Sequence, residues 1–159
     1  MRVLKIVGDI NISVDLPKDA EIIEANLEEF ISTEYEDKFD IILCVHVLQS
    51  LWTDQVSEVI GKLVNDLKEK GELHIHVPAT EQATKALLQG VQDPVAFYMI
   101  WGSKERPSHT GFNLFWLRTL VEQTGAIVRN ATMGKFKMVS GDKEVYALEH
   151  IVIATVIRS

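Results

Sequence analysis

The chain of 159 residues lacks several features that would each indicate a particular class of protein. It has one cysteine, Cys44, so it cannot form an internal disulfide, which is typical of proteins from a reducing compartment. No apolar run approaches the roughly 20 residues that a membrane-spanning helix needs. The net charge of −7 argues against a polyphosphate partner held by bulk electrostatics. We therefore expect a cytoplasmic protein that binds neither nucleic acid nor a membrane.

The sequence also has no P-loop, no G-x-G-x-x-G motif, no internal repeat and no linker long enough to divide domains. These absences weigh against the common nucleotide-binding motifs. The composition, 47% hydrophobic and 25% charged, is ordinary for a globular protein. A chain of this length buries roughly 70% of its unfolded surface on folding. We predict a single domain over residues 1–159.

The most regular stretch is Phe39–Pro78, which has the pattern of a β-α-β unit. An apolar run over Phe39–His46 predicts a buried strand, and Leu73–Val77 predicts the next one. Between them, apolar residues recur every three or four positions and predict a helix that Thr53-Asp54 cap and that Gly71 ends. These apolar residues are Val56, Val59, Ile60, Leu63, Val64 and Leu67.

The stretch before this unit predicts further strands. Arg2–Val7 is short and β-branched, and Asn11–Leu16 alternates apolar and polar residues until Pro17 stops it. Ala20–Ala25 predicts a third strand, after which Asn26 caps a short helix.

The stretch after the unit predicts helices and then a hairpin. Pro94–Gly102 is apolar and aromatic without a clear period. Two segments have helical spacing, and three later segments predict strands, with a hairpin turn over residues 140–143. The helices are Thr80–Leu88 and Asn113–Thr124, and the strands are Ala126–Met133, Lys135–Val139 and Glu144–Ile157.

Strands that alternate with helices and end in an antiparallel pair predict an α/β fold: a three-layer sandwich with a Rossmann-like, mostly parallel sheet and a C-terminal antiparallel hairpin. In such sheets, ligands bind at the carboxyl ends of the strands, where the strand order reverses. The residues at or just past those ends are the first candidates for a site. They are Gly8, Asp9, Asp15, Asn26, His46, Pro78 and Ala79.

Three segments together resemble a known family. Phe39–Leu51 resembles the pattern F-D-x-I-x-x-x-H-V-L-E-H-L, and Leu67–Pro78 resembles L-K-P-G-G-x-L-x-I-x-V-P. Trp101-Gly102, followed by Ser108–Phe112 and a helix that ends at Gly125, resembles a region of one branch of the same proteins. All three are found in class I S-adenosylmethionine-dependent methyltransferases, of the type 11 or type 12 kind, and the resemblance covers nearly the whole chain.

The resemblance implies the methyltransferase fold and S-adenosylmethionine as the cofactor. It implies that Asp15 holds the ribose, that Asn26 lies beside the adenine, and that the Val45-His46 backbone lines the same site. Gly8 and Asp9 stand where the family has a glycine-rich loop, approximately D-x-G-x-G-x-G, for the methionine part of the cofactor. Here only one glycine is present before the next predicted strand, so most of that loop is missing. Gln49-Ser50 replace the family's Glu-His pair.

Methyl transfer needs alignment of the reacting atoms and sometimes removal of a proton. His46 is the first candidate for the base and His109 the second. The acceptor is expected under the segment from Trp101 to Phe112, with His109 against it. Each residue has a structural alternative: His46 could bond the backbone, His109 could be solvated, and Asp15 could be a turn residue before Pro17. Tryptophans in such numbers are also common in cores.

No metal site is predicted. His74 and His76 share one face of a strand, but no Cys, Asp or Glu at ligand spacing joins them.

Two functions remain open from the sequence. One is a methyltransferase that uses S-adenosylmethionine on a small-molecule or glycan-type acceptor. The other is a catalytically inactive methyltransferase fold that serves as a binding or structural module. The missing loop favours this second function, and the retained Asp15 and His46 favour the first. The short N-terminal half also predicts an uncovered sheet face and hence a homodimer.

Overall fold

The computed structural model describes residues 1–10, 14–91, 93–140 and 142–158. In this part of the chain, six strands form one sheet in the order β2-β1-β3-β4-β6-β5. The strands are β1 (Arg2–Ile6), β2 (Glu21–Ala25), β3 (Phe39–Val45), β4 (Leu67–Pro78), β5 (Ile127–Ser140) and β6 (Lys143–Thr155). The helices are α1 (Leu27–Ser32), α2 (Thr53–Asn65), α3 (Thr80–Leu88), α4 (Pro94–Trp101) and α5 (Leu114–Gln123). None of the described helices is long and apolar enough to cross a membrane.

The sheet has a parallel half and an antiparallel half. β1 pairs in parallel with β2 on one side and with β3 on the other, and β4 adds in parallel to β3. β6 then pairs antiparallel with β4, and β5 with β6. The chain leaves β1 toward β2 and returns on the other side as β3, so the strand order reverses at β1. The predicted α/β fold with a mostly parallel sheet and a C-terminal antiparallel hairpin is confirmed.

Helices lie on both faces of the sheet. On one face, α1, α2 and α5 pack on a core that contains Ile42, Cys44 and Val152. On the other, α3 and α4 pack on Phe136 and Ala147. Strand alternation puts Ala147 and Val152 on opposite faces of β6, because their sequence numbers differ by an odd number. Cys44 is fully buried, as predicted, and burial raises the pKa of its thiol.

The strand predicted over Asn11–Leu16 is not observed in its described part. Residues 11–13 lie outside the described residues, and residues 14–16 are not in a strand. The neighbour of β1 is instead Glu21–Ala25, which pairs with it along its whole length. The segment predicted as the third strand therefore occupies the position of the second. Asp15 is exposed in the connection, whereas Asn26 follows the strand that pairs with β1.

The boundaries of α2 were predicted wrongly at both ends. The N-cap is Trp52 rather than Thr53 or Asp54, and the C-cap is Asp66 rather than Gly71. Leu67 pairs with Phe39, and both side chains are fully buried. This pairing provides a strand hydrogen-bond ladder and core contacts that one more helical turn would lose, so β4 begins where the helix was predicted to continue.

Two further elements differ from the prediction. Pro94–Trp101 is a helix, with Asp93 as its N-cap and Pro94 in its first turn. Its period was hidden because both its buried and its exposed faces are apolar. β5 also continues through Gly134, where two strands were predicted. A Cβ at Gly134 would lie 2.6 Å from Cδ1 of Ile151, so glycine here permits a close neighbour without interrupting the strand.

Candidate functional site

A cleft of about 520 Å³ lies beside the point where the strand order reverses. Its walls come from three stretches that meet at the carboxyl ends of the parallel strands. They are Asn26 and Leu27 after β2, Ser50 and Leu51 after β3, and Arg106 and His109 after α4. This is the place where open α/β sheets bind ligands. We call it the switch-point cleft.

The neighbouring end of β1 packs closely against β3 on one side. A Cβ at Gly8 would lie 2.8 Å from the carbonyl oxygen of Val45 and 2.8 Å from Cγ1 of Val47. The two segments are therefore in direct contact, and only a glycine allows this approach. Gly8 thus serves chain packing here, and it does not line the switch-point cleft.

Asp9 is bound by residues of α4 and of the segment that follows α4 in sequence. Its carboxylate accepts hydrogen bonds from Ser103 Oγ at 3.0 Å and from the Tyr98 hydroxyl at 3.4 Å. The guanidinium Nε of Arg106 lies 3.1 Å from the other oxygen. Burial, together with the negative charge of Asp9, raises the pKa of Tyr98. The stretch from α4 to Arg106 therefore covers the end of β1.

His46 is buried inside the protein rather than exposed at the end of its strand. Its backbone has a φ of 53° and donates to the carbonyl of His76 at 2.8 Å. Its side chain has no exposed surface, and Nε2 donates to Glu149 Oε2 at 2.7 Å. The ring centroid is 4.3 Å from that of Phe136. His46 does not line the switch-point cleft.

Glu149 is the residue that sequence reasoning missed. It is 3% exposed, and its second oxygen accepts from Nδ1 of His76 at 2.9 Å. The carboxylate thus joins two imidazoles that belong to β4 and to the end of β3. An acid in an otherwise apolar strand was the available signal, because a buried carboxylate needs a partner.

The pKa values of His46 and Glu149 are both lowered. This favours the uncharged form of the imidazole and the charged form of the carboxyl. Burial lowers the pKa of His46 from 6.5, which keeps the imidazole neutral. Burial alone would raise the pKa of Glu149, but the hydrogen bonds from His46 and His76 outweigh it and lower the pKa from 4.5 to about 2. The folded state therefore favours a neutral His46 and an ionised Glu149.

We predict that stability falls with acid in two stages. Below pH 6.5 the unfolded state takes up a proton at His46 more readily than the folded state, and below 4.5 it does so at Glu149, until about pH 2. Urea unfolding at a series of pH values from about 7.5 to about 3 measures this dependence. Glu149→Gln should flatten the lower stage. A wild-type stability that stays constant from neutral pH down to the lower stage would contradict the prediction.

His109 lines the cleft and is fixed by the backbone. Its Nδ1 donates to the carbonyl of Ser50 at 2.8 Å, so in the neutral ring Nε2 carries the lone pair. Its own N–H donates to the carbonyl of Gln49 at 2.8 Å. The ring stacks on Trp52 with centroids 4.0 Å apart. Nε2 has no hydrogen-bond partner among the described residues and can accept a proton or a hydrogen bond.

The remaining predicted residues are dispersed. Of the six predicted to hold the cofactor, Asn26 alone lines the switch-point cleft, whereas Gly8, Asp9, Asp15, Val45 and His46 do not. Of the three predicted to meet the substrate, His109 alone lines it. Trp101 is 56% exposed at the end of α4, and Phe112 is 2% exposed in the core. The structure therefore brings together Asn26 and His109 from the predicted set.

The partner of His74 and the partner of His76 are both carboxylates. Nε2 of His74 lies 3.0 Å from a carboxylate oxygen of Glu72, and His76 binds Glu149. Among the residues that the structure describes, no group of three potential metal ligands is found.

Comparisons of the sequence with protein-family models and with curated proteins gave no match. Solved structures do match. An O-methyltransferase family protein from Burkholderia thailandensis has a TM-score of 0.52 and 19% identity, over 87% of this chain and 36% of that protein. An N-methyltransferase from Bradyrhizobium japonicum has a TM-score of 0.52 and 13% identity, over 87% of this chain and 61% of that one.

A S-adenosylmethionine-dependent methyltransferase from Methanosarcina mazei has a TM-score of 0.54 and 15% identity, over 89% of this chain and 69% of that protein. The chain thus spans from about a third to about two thirds of the length of these proteins. At such low identity the likeness concerns the fold. It agrees with the strand order, the parallel half and the antiparallel hairpin described above. The chain has a class I methyltransferase-like fold.

Proposed function

We propose that this chain is a methyltransferase-fold binding module, which holds a nucleoside-type small molecule in the switch-point cleft and does not transfer methyl groups by itself. One observation carries the proposal. The cleft beside Asn26 and His109 is open, whereas at the adjoining end of β1 Gly8 packs against Val45 and Asp9 is paired with Arg106.

The cleft has the features that a flat, polar ring system requires. The imidazole of His109 forms part of the wall, and Trp52 supports it from behind. Aromatic side chains of this kind stack on bases without regard to their sequence. Asn26 uses one amide N–H to bind Glu29, and no residue that the structure describes accepts the second, so it can donate a hydrogen bond to a ring or a sugar.

S-Adenosylmethionine as a whole does not fit the residues that the structure describes. Its methionine half would need room at the end of β1. There Gly8 touches β3, and Asp9 is bound by Tyr98, Ser103 and Arg106. The cleft of about 520 Å³ beside Asn26 leaves room for its nucleoside half. The protein is therefore expected to recognise the half that most resembles adenosine.

An active methyltransferase is the second candidate, and the tautomer of His109 favours it. Nε2 of that ring carries the lone pair and can take a proton from a methyl-accepting substrate in the cleft, as a general base must. In that case a small-molecule or glycan-type acceptor would share the cleft, and Asp9 would have to release Arg106.

Calorimetric titration with adenosine and with S-adenosylhomocysteine separates the two candidates. For a binding module we expect the two dissociation constants to agree within about threefold, because the methionine half makes no additional contact. A threefold ratio corresponds to a difference of about 0.7 kcal/mol in binding free energy. If S-adenosylhomocysteine bound more than about tenfold tighter than adenosine, the protein would hold the methionine half, and an active methyltransferase would be the better-supported function. No heat with either compound at millimolar concentration would overturn the cleft as a nucleoside site.

A matched pair of tryptophan variants controls for non-specific effects. Trp52 and Trp101 are 58% and 56% exposed, but only Trp52 stacks on His109. We expect Trp52→Ala to weaken adenosine binding by about threefold to tenfold, because an aromatic pair contributes about 0.5–1.5 kcal/mol. Trp101→Ala should leave it unchanged. Equal effects of the two changes would contradict the assignment of His109 to the site.

A further inference from the structure

The turn that follows β3 carries one wall of the switch-point cleft. This turn, residues 46–51, which we call the β3 turn, contributes Ser50 and Leu51 to the lining. His109 belongs to the same lining and is bound to the turn through the backbone of the turn. The position of the imidazole therefore depends on the shape of the turn.

Three carbonyl groups of the β3 turn hold the segment that contains His109. The carbonyl of Gln49 accepts from the backbone N–H of His109 at 2.8 Å and from that of Thr110 at 3.1 Å. The carbonyl of Ser50 accepts from Nδ1 of His109 at 2.8 Å, and that of Leu51 from the Thr110 hydroxyl at 2.6 Å. A change in the turn would therefore move both the backbone and the ring of His109.

The first residue of the turn is firmly fixed. His46 has a φ of 53°, a conformation that residues other than glycine keep only where their surroundings hold them. Its N–H donates to the carbonyl of His76, its side chain is bound to Glu149, and its ring packs on Phe136. The carbonyl of His46 is therefore a rigid point of attachment for the rest of the turn.

Gln49 joins this fixed point to the cleft wall. Its side-chain Nε2 donates to the carbonyl of His46 at 2.9 Å, while its own carbonyl holds His109 and Thr110. Its side chain is nearly buried and does not line the cleft. One residue thus links the buried group around Glu149 to the wall of the site.

Packing alone does not explain a glutamine at this position. Its neighbours Val47, Leu48 and Leu51 are buried and apolar. Oε1 of Gln49 is buried and has no hydrogen-bond partner among the described residues. A buried acceptor without a partner costs free energy that an apolar side chain of similar length would not. The contribution of the side chain is therefore the hydrogen bond that its Nε2 donates.

We propose that Gln49 is the positioning residue of the switch-point cleft. Its side chain locks the β3 turn onto His46, and the locked turn holds the imidazole of His109 in the tautomer and orientation that bind the ligand. The inference rests on the proposed nucleoside site and adds the residue that sets the geometry of its wall. Gln49 itself does not touch the ligand.

Gln49→Met tests the side chain, because methionine has a similar length and cannot donate to His46. We expect adenosine to bind about threefold to tenfold more weakly, the factor that corresponds to one neutral hydrogen bond. The free energy of unfolding should change little, since one buried hydrogen bond and one unpaired acceptor are lost together. A loss of stability with unchanged affinity would overturn the proposal.

Gln82→Met is the matched control. It makes the same replacement at a half-buried position of α3 that does not line the cleft, and it should leave adenosine binding unchanged. If the two variants weakened binding equally, the effect would not come from the β3 turn, and the proposal would be overturned.

Nitrogen NMR of the histidine rings provides a measurement that needs no ligand. At about pH 8, above the usual titration range of imidazoles, His109 of the wild type should be one tautomer with its proton on Nδ1, as the bond to Ser50 requires. In Gln49→Met we expect both tautomers, because the turn no longer holds Ser50 in place. The same single tautomer in both proteins would overturn the proposal.

The wild type by itself supplies a further test, which applies even if the variant does not fold. The side-chain amide of Gln49 should exchange with water more slowly than that of Gln82, because it is buried and bound to His46. Equally fast exchange of the two amides would show that the bond is absent and would overturn the proposal.

A double variant shows whether Gln49 acts through His109. Once His109→Ala has removed the ring, the addition of Gln49→Met should weaken adenosine binding by no more than about twofold, because residues that act through one another are not additive. Independent effects that multiply would mean that Gln49 does not position His109.

The outcomes separate this inference from the proposed function. If adenosine binds the wild type and Gln49→Met equally well, the nucleoside site stands and the positioning role is overturned. If adenosine does not bind the wild type, the nucleoside site is wrong, and the tautomer of His109 alone decides whether Gln49 positions the wall.

Discussion

Replacing Phe112 by alanine is expected to lower the free energy of unfolding by about 3–5 kcal/mol, the usual cost of removing a phenyl ring from a core. The side chain is 2% exposed and stacks on Trp116 with centroids 5.0 Å apart. Its backbone also bridges to Ala79, at the end of β4. The change would leave a cavity at the junction of α5 with the sheet. A chain of this size should melt about 10 °C lower.

Urea unfolding followed by circular dichroism measures this loss, and Phe115→Ala is the matched control. Phe115 lies three residues further along and is 80% exposed, so its removal should change stability by no more than about 0.5 kcal/mol. The comparison also tests the sequence-based assignment of Phe112 to the substrate. If Phe112→Ala kept its stability and lost ligand binding, the residue would belong to the site rather than to the core.

Glu149→Ala is expected to cost about 3 kcal/mol at pH 7, although it removes a charged group. Two estimates agree. Removing the carboxylate leaves the ring N–H groups of His46 and His76 buried without an acceptor, and each such group costs about 1–3 kcal/mol. A fall in pKa from 4.5 to about 2 independently corresponds to about 3 kcal/mol of stabilisation of the ionised carboxyl.

The control for this change lies on the same strand. Glu144 forms an exposed ion pair with Lys137 at 2.6 Å, with side chains 60% and 49% exposed. Glu144→Ala should therefore cost less than about 1 kcal/mol. If both variants lost the same small amount, the hydrogen bonds from His46 and His76 would contribute nothing measurable. We also expect the Glu149 variant to lose part of the acid dependence of stability described above, which a purely steric defect would preserve.

The local elements with a clear period were predictable from the sequence. The apolar runs of β3 and β4 and the spacing along α2 follow from burial on one or two faces, which each short segment shows by itself. Where a segment is apolar on all sides, as α4 is, the same reasoning gives no period. The end of α2 was also beyond it, because the pairing of Leu67 with Phe39 depends on a strand far from the helix in sequence.

The site was predictable in part for the same reason. Asn26 was predicted because it follows a recognisable strand, and His109 because it stands in a polar loop; the fold brings both to one cleft. Asp15 was assigned to the site because a strand was predicted over Asn11–Leu16, and residues 14–16 of that segment are not in a strand. Glu149 was missed because its partner His46 lies 103 residues away, and no local pattern joins the two.

The sequence by itself determined the class of fold, since the periods of two and of 3.6 residues are local consequences of which side chains avoid water. The missing glycine-rich stretch after Val7 was also visible in it. Only the tertiary structure decided what that absence means. It brought Gly8 against Val45, bound Asp9 to Arg106 and buried His46 against Glu149, so the described residues at this end of the sheet contact distant parts of the chain. These are contacts between distant segments, which arise only when the whole sheet is assembled.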